Sequence, residues 1–228
     1  MTEQQRQAFL EYCNEPGRLN YGIPDMTYYS SLALCLFDAI YSIRVGYNVV
    51  IQKVNGLANL LHIERDANPN NIIPGIQDQT SISSVLESLN GYTANSLANE
   101  LNARHRTAGR RSILKTDAFL QGMNILHRFN VDTYQDLDRC LLERPEIETN
   151  LKSIMGQKVS IDYFLMLAGD SNRVKVDTHL RNFVCNAIGV NVIDNEDVID
   201  LVTLAAAQHG ITPRHMDHII WSFQRNQN

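Results

Sequence analysis

Apolar residues recur three and four positions apart along almost the whole of this chain and strand-like alternation is absent, so its elements are expected to close their backbone hydrogen bonds within helices. Residues 28–43 carry Leu32, Leu34, Cys35, Leu36, Phe37, Ala39 and Ile40 and are apolar nearly all round, which predicts a helix buried on most sides. Single apolar stripes follow at Val50, Val54, Leu57 and Leu61, at Phe119, Leu120, Met123 and Leu126, and at Ile161, Phe164, Leu165 and Ala168. Three more run through Leu180, Phe183, Val184, Ala187 and Ile188, through Val198, Leu201, Val202 and Ala205, and through Met216, Ile219, Ile220 and Phe223. The expected fold is all-α, with ten to twelve helices and no internal repeat.

Turn chemistry supplies the punctuation. NEPG at 14–17 ends a first helix over residues 2–13, and SIRVGYN at 42–48 separates the apolar helix from the next. The Asn- and Pro-rich residues 64–75 read as a connection, and Thr80 or Ser81 caps a short helix that ends at Leu89. Helices are expected over 93–102, 133–142 and 145–153, a break at Gly169, and a last helix opened by Thr212-Pro213. With 44% hydrophobic and 20% charged residues, 228 residues bury a substantial core as one domain or two joined lobes.

Several classes drop out on composition. The longest apolar run, 31–40, is interrupted by Asp38, and the opening MTEQQRQAF lacks the basic-then-apolar pattern of a secretion signal, so a cytoplasmic protein is expected, with no membrane partner. Cys13, Cys35, Cys140 and Cys185 are too widely spaced for a metal knuckle and read as reduced, packed thiols. A net charge of −5 argues against a generally sticky nucleic-acid binder, although a local basic surface still supplies phosphate contacts.

Two charged residues open adjacent helices. A helix from Lys158 to Gly169 rises about 16 Å at ~1.5 Å per residue. The eight steps from Gly169 to Asp177 reach up to roughly 26 Å, so the return is long enough to bring the carboxylate back beside the amine. Asp177 is well placed to cap its helix, with or without chemistry. Lys158 is opposed by the dipole of its own helix, which favours the neutral amine that a nucleophile requires. Residues 103–115 gather Arg104, Arg106, Arg110, Arg111 and Lys115 without an acidic residue, just before a helix, as phosphate contacts or as a solvated loop. His215 and His218 lack a third ligand, Trp221 is expected in the core, and Tyr41, Tyr47 and Tyr92 either stack on a base or pack. The acidic residues of 132–148 form a solvated face with no assigned role.

The order of these features, a basic loop, helices, SIMGQKVS at 153–160, DYFLMLAG, and VKVDTHL at 174–180, resembles the helix-hairpin-helix superfamily of DNA glycosylases. VDTH is similar to the endonuclease III branch, and GQKVS to the hairpin of 8-oxoguanine DNA glycosylases. The resemblance implies a two-lobed helical DNA-glycosylase-like fold over residues 1–228. One lobe spans about 78–190, including the hairpin at 150–169, and the other about 1–77 plus 191–228. It implies base-excision repair of double-stranded DNA containing a damaged base, by a monomer, with the flipped nucleotide entering a pocket between the lobes. Asp177 stands at the catalytic aspartate and Lys158 at the Schiff-base lysine of the members that also cleave abasic sites. Gly156 and Gln157 of the hairpin, with Arg104, Arg106, Arg110, Arg111 and Lys115, stand where DNA is held, and Arg44 where the gap left by the extruded nucleotide is filled. Ser153 and Ile154 replace the Pro and first Gly of the usual hairpin, and no four-cysteine cluster follows Cys185, so neither an iron–sulfur cluster nor another cofactor or metal is expected. The alternatives are a glycosylase in which Asp177 activates water, and a non-catalytic DNA-binding module of the same fold.

Overall fold

A computed structural model describes residues 1–22, 27–68, 72–108, 112–155 and 158–227. Among these the protein is all-α but for one short ribbon, and the chain divides into a central unit, Met26–Gly169, and a terminal unit made of Met1–Asp25 and Asp170–Asn228. The division at 25/26 and 169/170 differs from the expected one at 77/78 and 190/191.

The central unit is built around one helix. In α2 (Leu32–Tyr41) every residue is buried, including Asp38, and Ser31 caps it by accepting the Ala33 N–H. Helices α3 (Tyr47–Leu60), α6 (Lys115–Arg128) and α9 (Lys158–Leu167) pack directly against α2. Around them lie α4 (Ile82–Ser88), α5 (Ala94–Glu100), α7 (Tyr134–Glu143) and α8 (Glu146–Met155). Ser81, Thr93 and Thr133 cap α4, α5 and α7 through their hydroxyls, as Ser and Thr do at helix starts. The helix expected over 28–43 starts later. Tyr28–Tyr29 form strand β1, paired antiparallel with β2 (Asp66–Asn68), because backbone partners some forty residues on hold these tyrosines extended.

Two glycines inside helices make opposite predictions. A Cβ on Gly122 of α6 would lie 2.8 Å from Cδ2 of Leu36 and 3.1 Å from Cδ1 of Ile154, and Leu36 is fully buried. Overpacking of this kind costs ~1–3 kcal/mol, against a helix-propensity gain of about 1 kcal/mol. Gly122→Ala is therefore expected to lower stability in urea unfolding. A Cβ on Gly56 of α3 would meet only Cδ2 of Leu101, at 3.6 Å, so Gly56→Ala is expected to raise stability by up to ~1 kcal/mol. The opposite order of the two variants would sink this account of the α2–α6 packing.

The terminal unit packs α1 (Glu3–Asn14), α10 (Thr178–Ile188), α11 (Asn195–Gln208) and α12 (Pro213–Asn226) around its own core of Phe9, Phe183, Val184, Leu201 and Ile220. Thr2 caps α1 with Gln5 in a reciprocal pair, and Gly189 ends α10 at φ 69°, where an L side chain is strained. No helix among the described residues is long and apolar enough to cross a membrane.

Candidate functional site

In the central unit, α2 ends at Tyr41 and the chain turns through Ser42 and Ile43 to Arg44, which is exposed and holds a left-handed φ of 58°. Gly46 then opens α3 without a side-chain cap. The basic loop folds back on itself beneath this turn. The Thr107 N–H donates to Ile113 O at 2.8 Å, the Lys115 N–H to His105 O at 2.9 Å, and the Ser112 hydroxyl to Thr107 O at 2.7 Å. Arg104 and Arg106 are exposed at its flanks, their guanidinium groups donating to Asn99 Oδ1 and to Ser112 O. A guanidinium has five N–H donors, so one such bond leaves others to meet a phosphate. Arg110 and Arg111 lie outside the described residues.

Lys115 corrects the expected set of DNA contacts. Its side chain is 1% exposed, because the first turn of α6 is packed inward, and Nζ donates to Tyr41 O at 2.9 Å and Ile43 O at 2.6 Å. Burial pushes this amine down to about 8. A lysine held there cannot reach a phosphate. Tyr41 is also fully buried, stacks on Phe37 and donates its hydroxyl to Ala103 O at 2.9 Å, so of the three tyrosines left open by sequence it packs. Tyr47 is 44% exposed.

At the hairpin, Ser153 and Ile154 continue α8, which ends at Met155, and α9 opens at Lys158. Gly156 and Gln157 lie outside the described residues. The Lys158 amine donates to Asp162 Oδ2 at 2.8 Å, one helical turn on, with the lysine side chain 59% exposed and the aspartate 8%. This carboxylate was not singled out by sequence, although a Lys/Asp pair four apart on one helix is a legible signal. A second buried acid, Asp38, accepts the Tyr29 hydroxyl at 2.8 Å and the Tyr163 hydroxyl at 3.4 Å. Burial, and then the Asp38 charge, push the Tyr29 phenol well above its usual range.

In the terminal unit, the return into α10 alternates in burial and turns tightly before the helix, where the Asp177 N–H donates to Lys175 O at 2.7 Å. Val174 and Val176 are buried in the core, and Lys175 and Asp177 are half-buried. Asp177 caps α10, with Oδ1 accepting the Leu180 N–H at 3.1 Å. Among the described residues no hydrogen bond is made to its Oδ2. The return is fixed from α12, where Asp217 accepts the Lys175 N–H at 2.5 Å and is 4% exposed. Burial raises the Asp217 carboxyl to about 7, with the Asp177 charge adding to the rise and the Lys175 N–H and ammonium opposing it. Lys158 thus belongs to the central unit and Asp177 to the terminal one. Trp221 is half-buried rather than in the core, its ring 5.9 Å from His218 with the Arg225 guanidinium at 5.3 Å. No group of three His, Cys, Asp or Glu side chains among the described residues is placed to hold a metal ion.

Residues 7–225 match a protein family described as a domain of unknown function, DUF8548. No curated protein and no solved structure matches the chain.

Proposed function

We propose that this chain, which belongs to the DUF8548 family, is a DNA base-excision glycosylase that also cleaves the abasic site through Lys158. The observation that carries the reading is Asp177, an aspartate held at a helix start by a fixed return, with one oxygen spent on the cap and the other without a hydrogen-bond partner among the described residues. The exposed Arg44, Arg104 and Arg106 support it as groups suited to phosphates and an opened base stack. In the proposed reaction the Lys158 amine, as the neutral base, bonds to the sugar C1′ while the bond from C1′ to the base breaks. The base leaves with the electron pair and takes a proton from solvent water. Asp177 accepts a proton released in the reaction and stabilises positive charge on the sugar. Opening of the sugar ring then gives the Schiff base, from which the strand is cleaved.

A second reading has an observation of its own. The Lys158 amine already donates to the Asp162 carboxylate, a pairing that suits a lysine that only touches DNA. Asp177 then activates water. Duplexes carrying oxidised, alkylated and deaminated bases are expected to include one from which the protein releases the base and cleaves the strand. Borohydride is expected to trap it covalently on an abasic duplex through Lys158. Base release without any trapped adduct selects the water mechanism, and release from no lesion overturns the enzyme reading.

A further inference from the structure

We propose that Lys115 is a positioning residue, an internal cation that clamps the Arg44 turn to the stems of the basic loop so that Arg44, Arg104 and Arg106 present one rigid surface. The proposal rests on the glycosylase reading for what that surface does, and on the following geometry for how it is held. The last carbonyls of a helix have no partner within it and carry the negative end of its dipole. One ammonium group, Lys115 Nζ, takes Tyr41 O, the last carbonyl of α2, at 2.9 Å and Ile43 O, in the turn just past the helix, at 2.6 Å.

The second of those bonds acts on Arg44. Ile43 C=O and Arg44 N–H share one planar peptide unit, so holding the carbonyl fixes the plane about which Arg44 φ is set. That φ is 58°, a left-handed conformation that strains a non-glycine residue and persists only where neighbours impose it. The same lysine also begins α6, and its own N–H closes the basic loop on His105 O at 2.9 Å. Tyr41, whose carbonyl the ammonium holds, reaches the other stem of the loop through its hydroxyl bond to Ala103 O. Turn and loop are therefore joined at three points, each made by the buried side chain of Lys115 or Tyr41. Lys115, Lys53 and His105 are close enough that the two ammonium groups, after burial, hold the His105 imidazole towards its neutral form. Arginines on two independently moving loops would lose conformational freedom on meeting DNA, and joining the loops beforehand removes part of that loss.

The test combines hydrogen exchange with a double-mutant cycle. Lys115→Met keeps the length of the side chain and removes its donors, and Tyr41→Phe cuts one link with less disturbance of the core. In both variants exchange is expected to quicken together in residues 42–48 and 103–107. Unchanged exchange in the two segments overturns the clamp. For a duplex containing a tetrahydrofuran abasic analogue, with affinities referred to the folded fraction, Lys115→Met and Arg44→Ala are each expected to weaken binding about tenfold. The double variant is expected to bind within about twofold of Arg44→Ala alone, since residues acting as a unit are not additive. Full multiplication of the two losses overturns the positioning role even where exchange quickens. Failure of the wild type to prefer the abasic duplex over an undamaged one sinks the glycosylase reading and the positioning role with it, and the exchange result still decides the clamp.

Discussion

Replacing Asp177 by Asn is expected to slow base release by about 10²–10⁴-fold, the range lost when a positioned acid–base group is removed, with the fold and the affinity for abasic DNA kept. The separation is possible because Asp177 has two jobs on two oxygens. Oδ1 accepts the Leu180 N–H at the start of α10, a bond that an Asn side-chain oxygen makes equally well. Loss of the charge at the helix start costs only ~0.3–1 kcal/mol. Asn cannot take a proton, however, nor offset positive charge on the sugar. Asp177→Ala is the poorer experiment, because it removes the cap as well, at about 1 kcal/mol, and mixes unfolding with lost chemistry. The checking measurement is single-turnover release from the best substrate of the lesion panel, with urea unfolding run in parallel. Release by Asp177→Asn at the wild-type rate would remove Asp177 from the mechanism and leave it as a cap.

What could be read beforehand follows from the range of each interaction. Helix positions and their starts at Thr2, Ser81, Thr93, Asp177 and Thr212 are set by neighbours within four residues, so apolar spacing and capping side chains announce them. The strand at Tyr28–Tyr29 was missed because its partners are at 66–68 and both tyrosines also suit a buried helix. Lys115 was misread for a similar reason. Its partners are backbone carbonyls more than seventy residues earlier, and a carbonyl carries no residue type for a sequence to show. Asp38 and Asp217 are hidden differently, as acids in helical segments, where an acid is ordinarily taken to face water. Lys158 and Asp177 were legible as helix starts, and Asp162, four residues past Lys158, changes what the first of them offers by giving its amine a carboxylate partner.

Asp217 should make the protein lose stability as the pH rises from about 4 to about 7, and Asp217→Asn should remove that loss. The folded-state carboxyl is raised to about 7 by burial, while in the unfolded chain it returns to 3.8. Between those values the unfolded state has released the proton and the folded state keeps it, so the folded state binds more protons and stability falls with increasing pH. Below the lower value both states are protonated, and above the upper value both are ionised, so the slope vanishes at either end. At ~1.36 kcal/mol per unit the whole window is worth about 4 kcal/mol. In Asp217→Asn the amide oxygen still accepts the Lys175 N–H, and nothing there titrates. The stability difference between variant and wild type, from urea unfolding at steps across pH 4–8, is expected to move in favour of the variant up to about pH 7 and then to level off. A difference independent of pH would mean that the carboxyl ionises alike in both states and that its burial does not hold the proton. Asp177 supplies the internal control. Its charge is one cause of the Asp217 rise, so in Asp177→Asn the second carboxyl ionises at lower pH and the window in which stability falls is narrower. That narrowing tests directly whether the two carboxyls are coupled, independently of any assay on DNA.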